Sequence, residues 1–399
     1  MEGAPTQHSE RISDRSEEYR EIRERMRETV PDGAMIFGEA AIADIDINRK
    51  IVKDIDGDLL EETNEEIKEK LLDHKIFFEG CCKKRLSELK ADIEDRSAID
   101  AIPFFETIST SPHIEKLVKD ELPWIKEMSK YDEVTLFVCT INKDIPDQLF
   151  EEMVRAYVNF WEKKQEEFHE KAPYMLAEFK EKALQAIKEN KLPITQELLE
   201  ERMEDTRIYL ADAMSIGDCT NGDYSVKEGV VRVAYRDDEK AQKKTVFHEM
   251  LHALSGRTVR LQGGDLDHQR NGLGFWVYNS KGNKSGKQFR WLNEAVTEEI
   301  TIELSEIEPE DAAYPRERKY LQELYNQGVS KQLVYEAYFE NYDADSQEKV
   351  PKWKELVHHI KDKHPEISDG KGSVEYLKKV EEEIKREKDQ FIKEREGSN

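Results

Sequence analysis

The pattern of apolar and polar residues predicts short strands early in the chain, followed by a long helical region. Apolar and β-branched residues crowd 34–51, which predicts one or two strands, and the acidic run 54–58 predicts a turn after them. Residues 64–128 show helical patterns with loops at prolines. A dense apolar run predicts a further strand over 133–141.

After Pro146 the apolar residues recur at spacings of three and four, which is the period of an amphipathic helix. The pattern predicts a helix to about Glu170, an interruption at Pro173, and a second helix that ends before Asn190. Another helix is predicted over 195–214. This helical block is expected to lie beside the part of the chain that carries the chemistry.

Strand and helix patterns alternate in the second half of the chain. The valine-rich stretch 230–235 predicts a strand, and the apolar positions that follow predict a helix over 238–255. Two strands, 273–278 and 288–292, are expected to form a hairpin with a long loop. The next helix is predicted to begin near Asn293.

These patterns predict an α+β fold with four regions. We expect a charged, flexible arm over 1–30, a mainly helical N-terminal region with a few strands over 31–200, an α+β domain over 201–345, and a charged helical tail over 346–399. The apolar residues of 374–395 form a thin stripe that is too short for a coiled coil, which favours a solvated helix on the surface.

Composition narrows the classes of partner. The 399 residues include 87 acidic and 62 basic side chains, a net charge of −25, so nucleic acid and anionic membrane surfaces are expected to be repelled.

Hydrophobic residues make up 37%, and no stretch resembles a signal peptide or a membrane span. Four cysteines, two of them adjacent, indicate no disulfide framework. We therefore expect a cytoplasmic protein, with export by a route that needs no signal as the alternative.

The acidic turn at 54–58 has a second interpretation as a calcium loop. Counting from Asp54, the residues Asp56, Asp58 and Glu65 fall at loop positions 3, 5 and 12. Leu59 stands at position 6, where such a loop requires glycine for its bend. The pattern therefore favours an ordinary acidic turn.

The residues with the clearest chemical pattern are His248, Glu249 and His252 in the sequence His-Glu-Met-Leu-His. Two histidines four residues apart on a helix point the same way, so their imidazoles can bind one metal ion. Glu249 projects about 100° around the helix from His248, where it can reach a metal-activated water without being a ligand. The alternative is a pair of hydrogen-bonded histidines in a packed core.

A third ligand is predicted at Glu294, which lies 42 residues after His252. It is the second residue of the sequence Asn-Glu-Ala-Val-Thr-Glu. A carboxylate on a second helix completes a two-histidine, one-glutamate zinc site and leaves a fourth position for water. Glu298, four residues further on, lies on the same helical face, where it can orient a ligand histidine. The alternative is a solvated acidic helix.

These two motifs resemble those of the gluzincin zinc metallopeptidases, of which thermolysin is the familiar member. The resemblance covers residues 217–305 and implies a zincin-like catalytic domain, with zinc bound by His248, His252 and Glu294. It also implies that Glu249 acts as general base and that Glu298 occupies the place of the orienting aspartate. The valine-rich strand before the zinc helix corresponds to the edge strand that holds the substrate.

The resemblance implies a zinc-dependent peptidase acting on peptide or protein substrates. No Gly-x-Met-x-Asn stretch precedes His248, so an endopeptidase is favoured over an aminopeptidase. The residue that stabilises the transition state is open: the candidates are Tyr338, which is preferred, Tyr335, Tyr342 and His268. Two alternatives remain, a non-catalytic zinc-containing binding or regulatory module and hydrolysis of a non-peptide amide.

Overall fold

The computed structural model describes residues 36–61, 63, 65–94, 147–216, 221–225, 229–262, 265–278, 284–306, 308, 313–340, 351–363 and 372–396. The described elements in chain order are α1 (Glu39–Glu61), α2 (Glu65–Glu94), α3 (Asp147–Lys188), α4 (Gln196–Asp205), β1 (Arg207–Ala211), α5 (Ala213–Ile216), β2 (Gly222–Ser225), β3 (Val230–Ala234), α6 (Glu239–Leu254), β4 (Arg257–Gln262), β5 (Asp265–Asn271), β6 (Gly274–Tyr278), β7 (Lys284–Gln288), α7 (Arg290–Ser305), α8 (Pro315–Asn326), α9 (Lys331–Phe339), α10 (Lys352–Lys363) and α11 (Gly372–Glu396).

The described part of the chain is mainly helical with two small sheets, which confirms the α+β expectation in its coarse form. No described helix has the length and apolar character needed to cross a membrane. The predicted arm over 1–30 and the predicted strand over 133–141 lie outside the described residues.

The strands predicted over 34–51 are wrong for residues 39–51, which belong to helix α1. Its buried residues Ile42, Ile45 and Ile55 lie on one side of the helix, which packs against α2 and α3. This packing outweighs the β propensity of isoleucine. The acidic run 54–58 also lies inside α1, so it forms neither a turn nor a calcium loop.

Helix α3 continues through Pro173, so the predicted interruption is wrong. A proline inside a helix removes one backbone hydrogen bond and costs about 3 kcal/mol. The cost is offset because apolar residues on both sides of Pro173 are buried, among them Phe168, Met175 and Phe179. The result is a single helix of 42 residues that supports the sheet and the helices of the candidate site.

The single helix predicted over 195–214 is wrong in its second half. Helix α4 begins after Thr195, whose hydroxyl accepts a hydrogen bond from the Leu198 amide at 3.2 Å, and ends at Asp205. Strand β1 follows and pairs in parallel with β3. Four of its five residues are buried, and a fully buried strand lacks the alternation that reveals strands in a sequence.

The first sheet has the strand order β1–β3–β2. The valine-rich strand β3 was expected at an edge, but it lies in the centre because β1 and β2 both pair with it. One edge of the sheet is formed by β2, which runs antiparallel to β3 and aligns Gly222 with Val233. Both β2 and β3 contact helix α6, so the edge strand lies next to the His-Glu-Met-Leu-His segment.

Helix α6 agrees with its prediction at both ends. Asp238 caps it by accepting a hydrogen bond from the Lys240 amide at 2.9 Å, and Ser255 ends it. Gly256 follows because the chain passes close to a neighbour there: a β-carbon at this residue would lie 2.0 Å from the carbonyl oxygen of Glu340.

The second sheet is an antiparallel meander with the order β4–β5–β6–β7. The predicted hairpin is present as β6 and β7, but β7 ends at Gln288. Helix α7 then begins at Arg290 rather than near Asn293, so the strand predicted over 288–292 is wrong for most of its residues.

The C-terminal helix α11 is present as predicted, and its apolar stripe packs against the rest of the molecule. Leu377, Val380 and Ile384 are buried in the same core as α7. The indole N–H of Trp291, on α7, donates a hydrogen bond to the carbonyl oxygen of Leu377 at 3.1 Å. This helix therefore has a solvated outer face and an inner face anchored to the helix that carries Glu294.

Candidate metal centre

Helix α6 carries His248, Glu249 and His252 in its last two turns. The residues between and around them are apolar and fully buried, including Phe247 and Leu251. The three polar side chains are buried as well, each exposed to solvent by less than a tenth. Burial of this kind requires the polar groups to have partners, and those partners are supplied largely by α7.

The carboxylate of Glu294 lies between the two histidines. Its Oε2 atom is 3.3 Å from Nε2 of His248 and 3.3 Å from Nε2 of His252. One ligand atom from each of the three residues lies within 4.8 Å of the others, and this is the group among the described residues that can hold a metal ion. The three predicted ligands are thus brought together.

The spacing of these atoms suits a tetrahedral metal ion. Ordinary N–H···O hydrogen bonds are 2.7–3.2 Å long, so both 3.3 Å separations lie just beyond that range. A tetrahedron with metal–ligand bonds of about 2.0 Å has edges of about 3.3 Å, and zinc binds imidazole nitrogen and carboxylate oxygen at such distances. Two imidazoles and one carboxylate therefore suit a zinc ion in chemistry, and the two nitrogen–oxygen separations match the edges of a tetrahedral site.

Glu298 orients His248 from the side of the ring opposite to Glu294. Its Oε2 atom lies 2.9 Å from Nδ1 of His248, and its Oε1 atom lies 2.8 Å from Nζ of Lys244. Oε1 also accepts a hydrogen bond from the Ala313 amide. The carboxylate fixes Nδ1 as the protonated nitrogen and leaves the Nε2 lone pair directed at the cluster.

His252 is oriented by Thr297, a residue that the sequence did not single out. The Thr297 hydroxyl lies 3.4 Å from Nδ1 of His252 and donates its own proton to the carbonyl oxygen of Asn293 at 2.8 Å. The Asn293 amide nitrogen, which can only donate, lies 3.3 Å from the same ring atom. Thr297 and Asn293 together hold the ring, and both histidines present Nε2 to the cluster.

The role expected of Tyr338 as transition-state stabiliser does not fit its position. Its hydroxyl lies 2.8 Å from the Thr297 hydroxyl and donates to the carbonyl oxygen of Leu251 at 3.2 Å. This places it behind His252, on the Nδ1 side of the ring. Tyr335 packs further along α7, near Glu299 and Glu303. The side chain of His268 and all of Tyr342 lie outside the described residues.

Glu249 faces the edge strand β2. A β-carbon at Gly222 would lie 2.6 Å from Cγ and 2.7 Å from Oε1 of Glu249, so only glycine leaves room for this side chain. Burial raises the pKa of Glu249 to about 8, against a positive charge on His248 that lowers it. The carboxyl group therefore exchanges a proton near neutral pH, as a general base must.

Without a metal ion, the two histidines of the cluster differ in their protonation. Burial lowers the pKa of His248, but hydrogen bonds to Glu294 and Glu298 outweigh it and raise that pKa to about 10. Burial lowers the pKa of His252. Burial raises the pKa of Glu294, yet the neighbouring histidines hold it well below its usual value. The cluster therefore contains an ionised carboxylate, a neutral imidazole and a protonated imidazole at neutral pH.

Two further side chains lie at the cluster and were missed in the sequence. The ring of Tyr314 stacks on the ring of His248, with centroids 5.6 Å apart, and burial together with the nearby charges of Glu294 and Glu249 raises the pKa of its hydroxyl. Arg290 lies on the other side of that carboxylate, with Nε 3.4 Å from Oε1 of Glu294. The sequence could have pointed to Arg290 through its position four residues before Glu294 on the same helix. No sequence signal points to Tyr314, because its contact with α6 depends on tertiary structure.

Comparison of the chain with protein-family models, with curated proteins and with solved structures finds no match. The geometry of the cluster therefore carries the functional interpretation, together with the motifs that form it.

Proposed function

We propose that the protein is a zinc-dependent peptidase with a zincin-like catalytic domain. His248, His252 and Glu294 hold one zinc ion, and Glu249 is the general base. The observation that carries the proposal is the position of the Glu294 carboxylate, 3.3 Å from Nε2 of both histidines, with Glu249 buried beside them.

Zinc is the metal that best suits this donor set. Two neutral imidazoles and one carboxylate are typical of catalytic zinc sites, whereas calcium and magnesium prefer oxygen ligands alone. The contact between Nδ1 of His248 and the Glu298 carboxylate supports the same choice, since histidine ligands of zinc donate their second N–H to a protein acceptor. A bound zinc ion would polarise the carbonyl of the scissile bond and lower the pKa of the attacking water.

Glu249 carries the proton in this reaction. Burial raises the pKa of Glu249 above that of an ordinary carboxyl group and brings it closer to neutral pH, which favours proton transfer in both directions. Glu249 takes the proton of the attacking water and gives it to the leaving nitrogen when the peptide bond breaks. The reaction needs no covalent intermediate on the protein.

The edge strand β2 offers a place for the substrate. One edge of β2 pairs with β3, and its other edge pairs with no strand among the described residues. An extended peptide can add to such an edge through main-chain hydrogen bonds. Gly222 on this strand lies against Glu249, so a peptide bound there would pass beside the general base.

The alternative is a binding or regulatory module that keeps zinc without turnover. Glu249 argues against it, because a buried carboxyl group with a raised pKa is costly for a fold and has no use at a site that only binds metal.

The experiment that tests the proposal is cleavage of a diverse peptide library by the zinc-loaded protein, read by mass spectrometry with and without a chelator. We expect cleavage that stops on chelation, that returns with zinc, and that Glu249→Gln abolishes while retaining one zinc per chain. A protein that binds one zinc per chain and cleaves no member of the library would favour the binding module.

A further inference from the structure

Arg290 lies at the boundary between the cluster and solvent. It is the first residue of α7, and its Nε atom is 3.4 Å from Oε1 of Glu294, the oxygen that faces away from the two histidines. Its side chain is 54% exposed, compared with 12% for Glu294 and less than a tenth for the histidines. On this side of the metal cluster, the guanidinium group is therefore accessible to an incoming molecule.

The hydrogen-bonding capacity of Arg290 is almost unused. A guanidinium group has five N–H donors arranged as a flat fork. The Nε contact to Glu294 is long, and neither terminal nitrogen makes a hydrogen bond to any residue that the structure describes. A fork of this kind matches the two oxygens of a carboxylate, which it binds through two parallel hydrogen bonds.

The charges of the molecule favour Arg290 as a site for an anionic group. Of the carboxyl groups near Glu249, Glu294 lies between two histidines and Asp223 is paired with Arg232. The chain as a whole has a net charge of −25, which disfavours anionic groups over much of its surface. At the mouth of the site, the unused N–H groups of Arg290 can give an anionic substrate group a charge-assisted hydrogen bond.

We propose that Arg290 binds a carboxylate of the substrate peptide next to the bond that is cleaved. The inference rests on the proposed peptidase function and adds a substrate class to it. The carboxylate is either the C-terminal group of the peptide or the side chain of an aspartate or glutamate, because both present the same two oxygens.

The experiment measures binding to the zinc-loaded Glu249→Gln protein, so that hydrolysis does not consume the ligand. The probes are two degenerate octapeptide libraries that differ only in a fixed glutamate or glutamine, each made with a free C-terminal carboxylate and with a C-terminal amide. Retention of each library is quantified by mass spectrometry. The same measurement is made after adding Arg290→Gln or Arg290→Lys, with Arg85→Gln on the remote helix α2 as the matched control.

We expect peptides with a carboxylate to bind about ten- to a hundredfold more tightly than their amide counterparts. Arg290→Gln should remove this preference and leave the binding of the neutral peptides and the zinc content unchanged. Arg290→Lys should keep part of the preference, and Arg85→Gln should keep all of it. The arm that shows the effect identifies the source, terminal or side-chain.

Equal binding of carboxylate and amide peptides, or no binding of any of the four libraries, would overturn the inference. So would an equal loss for all four in Arg290→Gln, because that result would mean that Arg290 only holds Glu294 in place. If the carboxylate preference is present but the unmutated protein cleaves nothing, the peptidase proposal fails and Arg290 stands only as a carboxylate-binding residue.

Discussion

His248 and Glu298 form a hydrogen bond of 2.9 Å between Nδ1 and Oε2, on the side of the imidazole ring that faces away from Glu294. The bond decides which ring nitrogen carries the proton, and so which one is free to bind a metal. Burial raises the pKa of Glu298, but hydrogen bonds from His248 and Lys244 lower it to about 2, which keeps the carboxylate ionised at any working pH.

Glu298→Gln is therefore expected to weaken zinc binding by about ten- to a hundredfold. The amide has the shape of the carboxylate but lacks the charge that polarises the ring. Competition with a chromophoric chelator measures the affinity. Glu303→Gln, on the same helix and paired with Lys331, is the control and should bind zinc as the unmutated protein does. Equal affinities for the two variants would mean that Glu298 has no part in the metal site.

Gly222→Ala is expected to reduce peptide cleavage at least tenfold while zinc stays bound. The added methyl group would lie 2.6–2.8 Å from the side chain of Glu249 and would displace it. Gly80→Ala serves as the control, because nothing lies within 4 Å of a β-carbon there. Gly80 is inside helix α2, so its replacement should stabilise the fold by about 0.5–1 kcal/mol. Unchanged turnover in Gly222→Ala would contradict the position given to the general base.

Tyr338→Phe is expected to destabilise the fold by about 1–2 kcal/mol and to leave turnover within about threefold. The phenol supports Thr297 and the end of α6 from behind His252, and takes no part at the open side of the cluster. Urea unfolding and steady-state kinetics measure the two effects. Tyr314→Phe should behave in the opposite way, since Tyr314 stacks on His248 at the cluster and its hydroxyl lies near the charge of Glu294. A large loss of turnover without loss of stability in Tyr338→Phe would restore the role expected from the sequence.

Zinc binding is expected to release about one proton per chain at pH 8. The pKa of His248 is raised to about 10 in the metal-free cluster, so the ring is protonated below that pH and must lose its proton to become a ligand. His252 and Glu294 already have the ligand form, because their pKa values are lowered. Zinc affinity should therefore rise about tenfold per pH unit up to about pH 10.

Calorimetry in buffers of different ionisation enthalpy measures the released proton directly. A binding enthalpy that is independent of the buffer would show that His248 is neutral before the metal arrives.

The sequence predicted that His248, His252 and Glu294 lie together because the residues involved are close in sequence or fall on one helical face. His248 and His252 are four residues apart on α6, and Glu294 and Glu298 are four residues apart on α7. A helix converts such spacing into a shared direction without help from the rest of the fold. The sequence did not single out Thr297, because its contact with His252 depends on how the two helices pack.

The errors in the fold have the same cause. Residues 39–51 include several isoleucines, yet packing against α2 and α3 makes them helical. Strand β1 was read as helix because it is buried on both faces and shows no alternation. Tyr314 reaches His248 only through the loop before α8, in a left-handed conformation with φ of 55°. Contacts of this kind depend on tertiary structure, which local periodicity does not encode.

X-ray absorption at the zinc edge tests the central claim most directly, because it reports the atoms bound to the metal. For the zinc-loaded protein we predict nitrogen and oxygen neighbours at about 2.0–2.1 Å with the scattering of two imidazole rings, and loss of stoichiometric zinc in His252→Ala. A sulfur neighbour at about 2.3 Å, or a full zinc content in His252→Ala, would contradict the assignment of His248, His252 and Glu294 as the ligands.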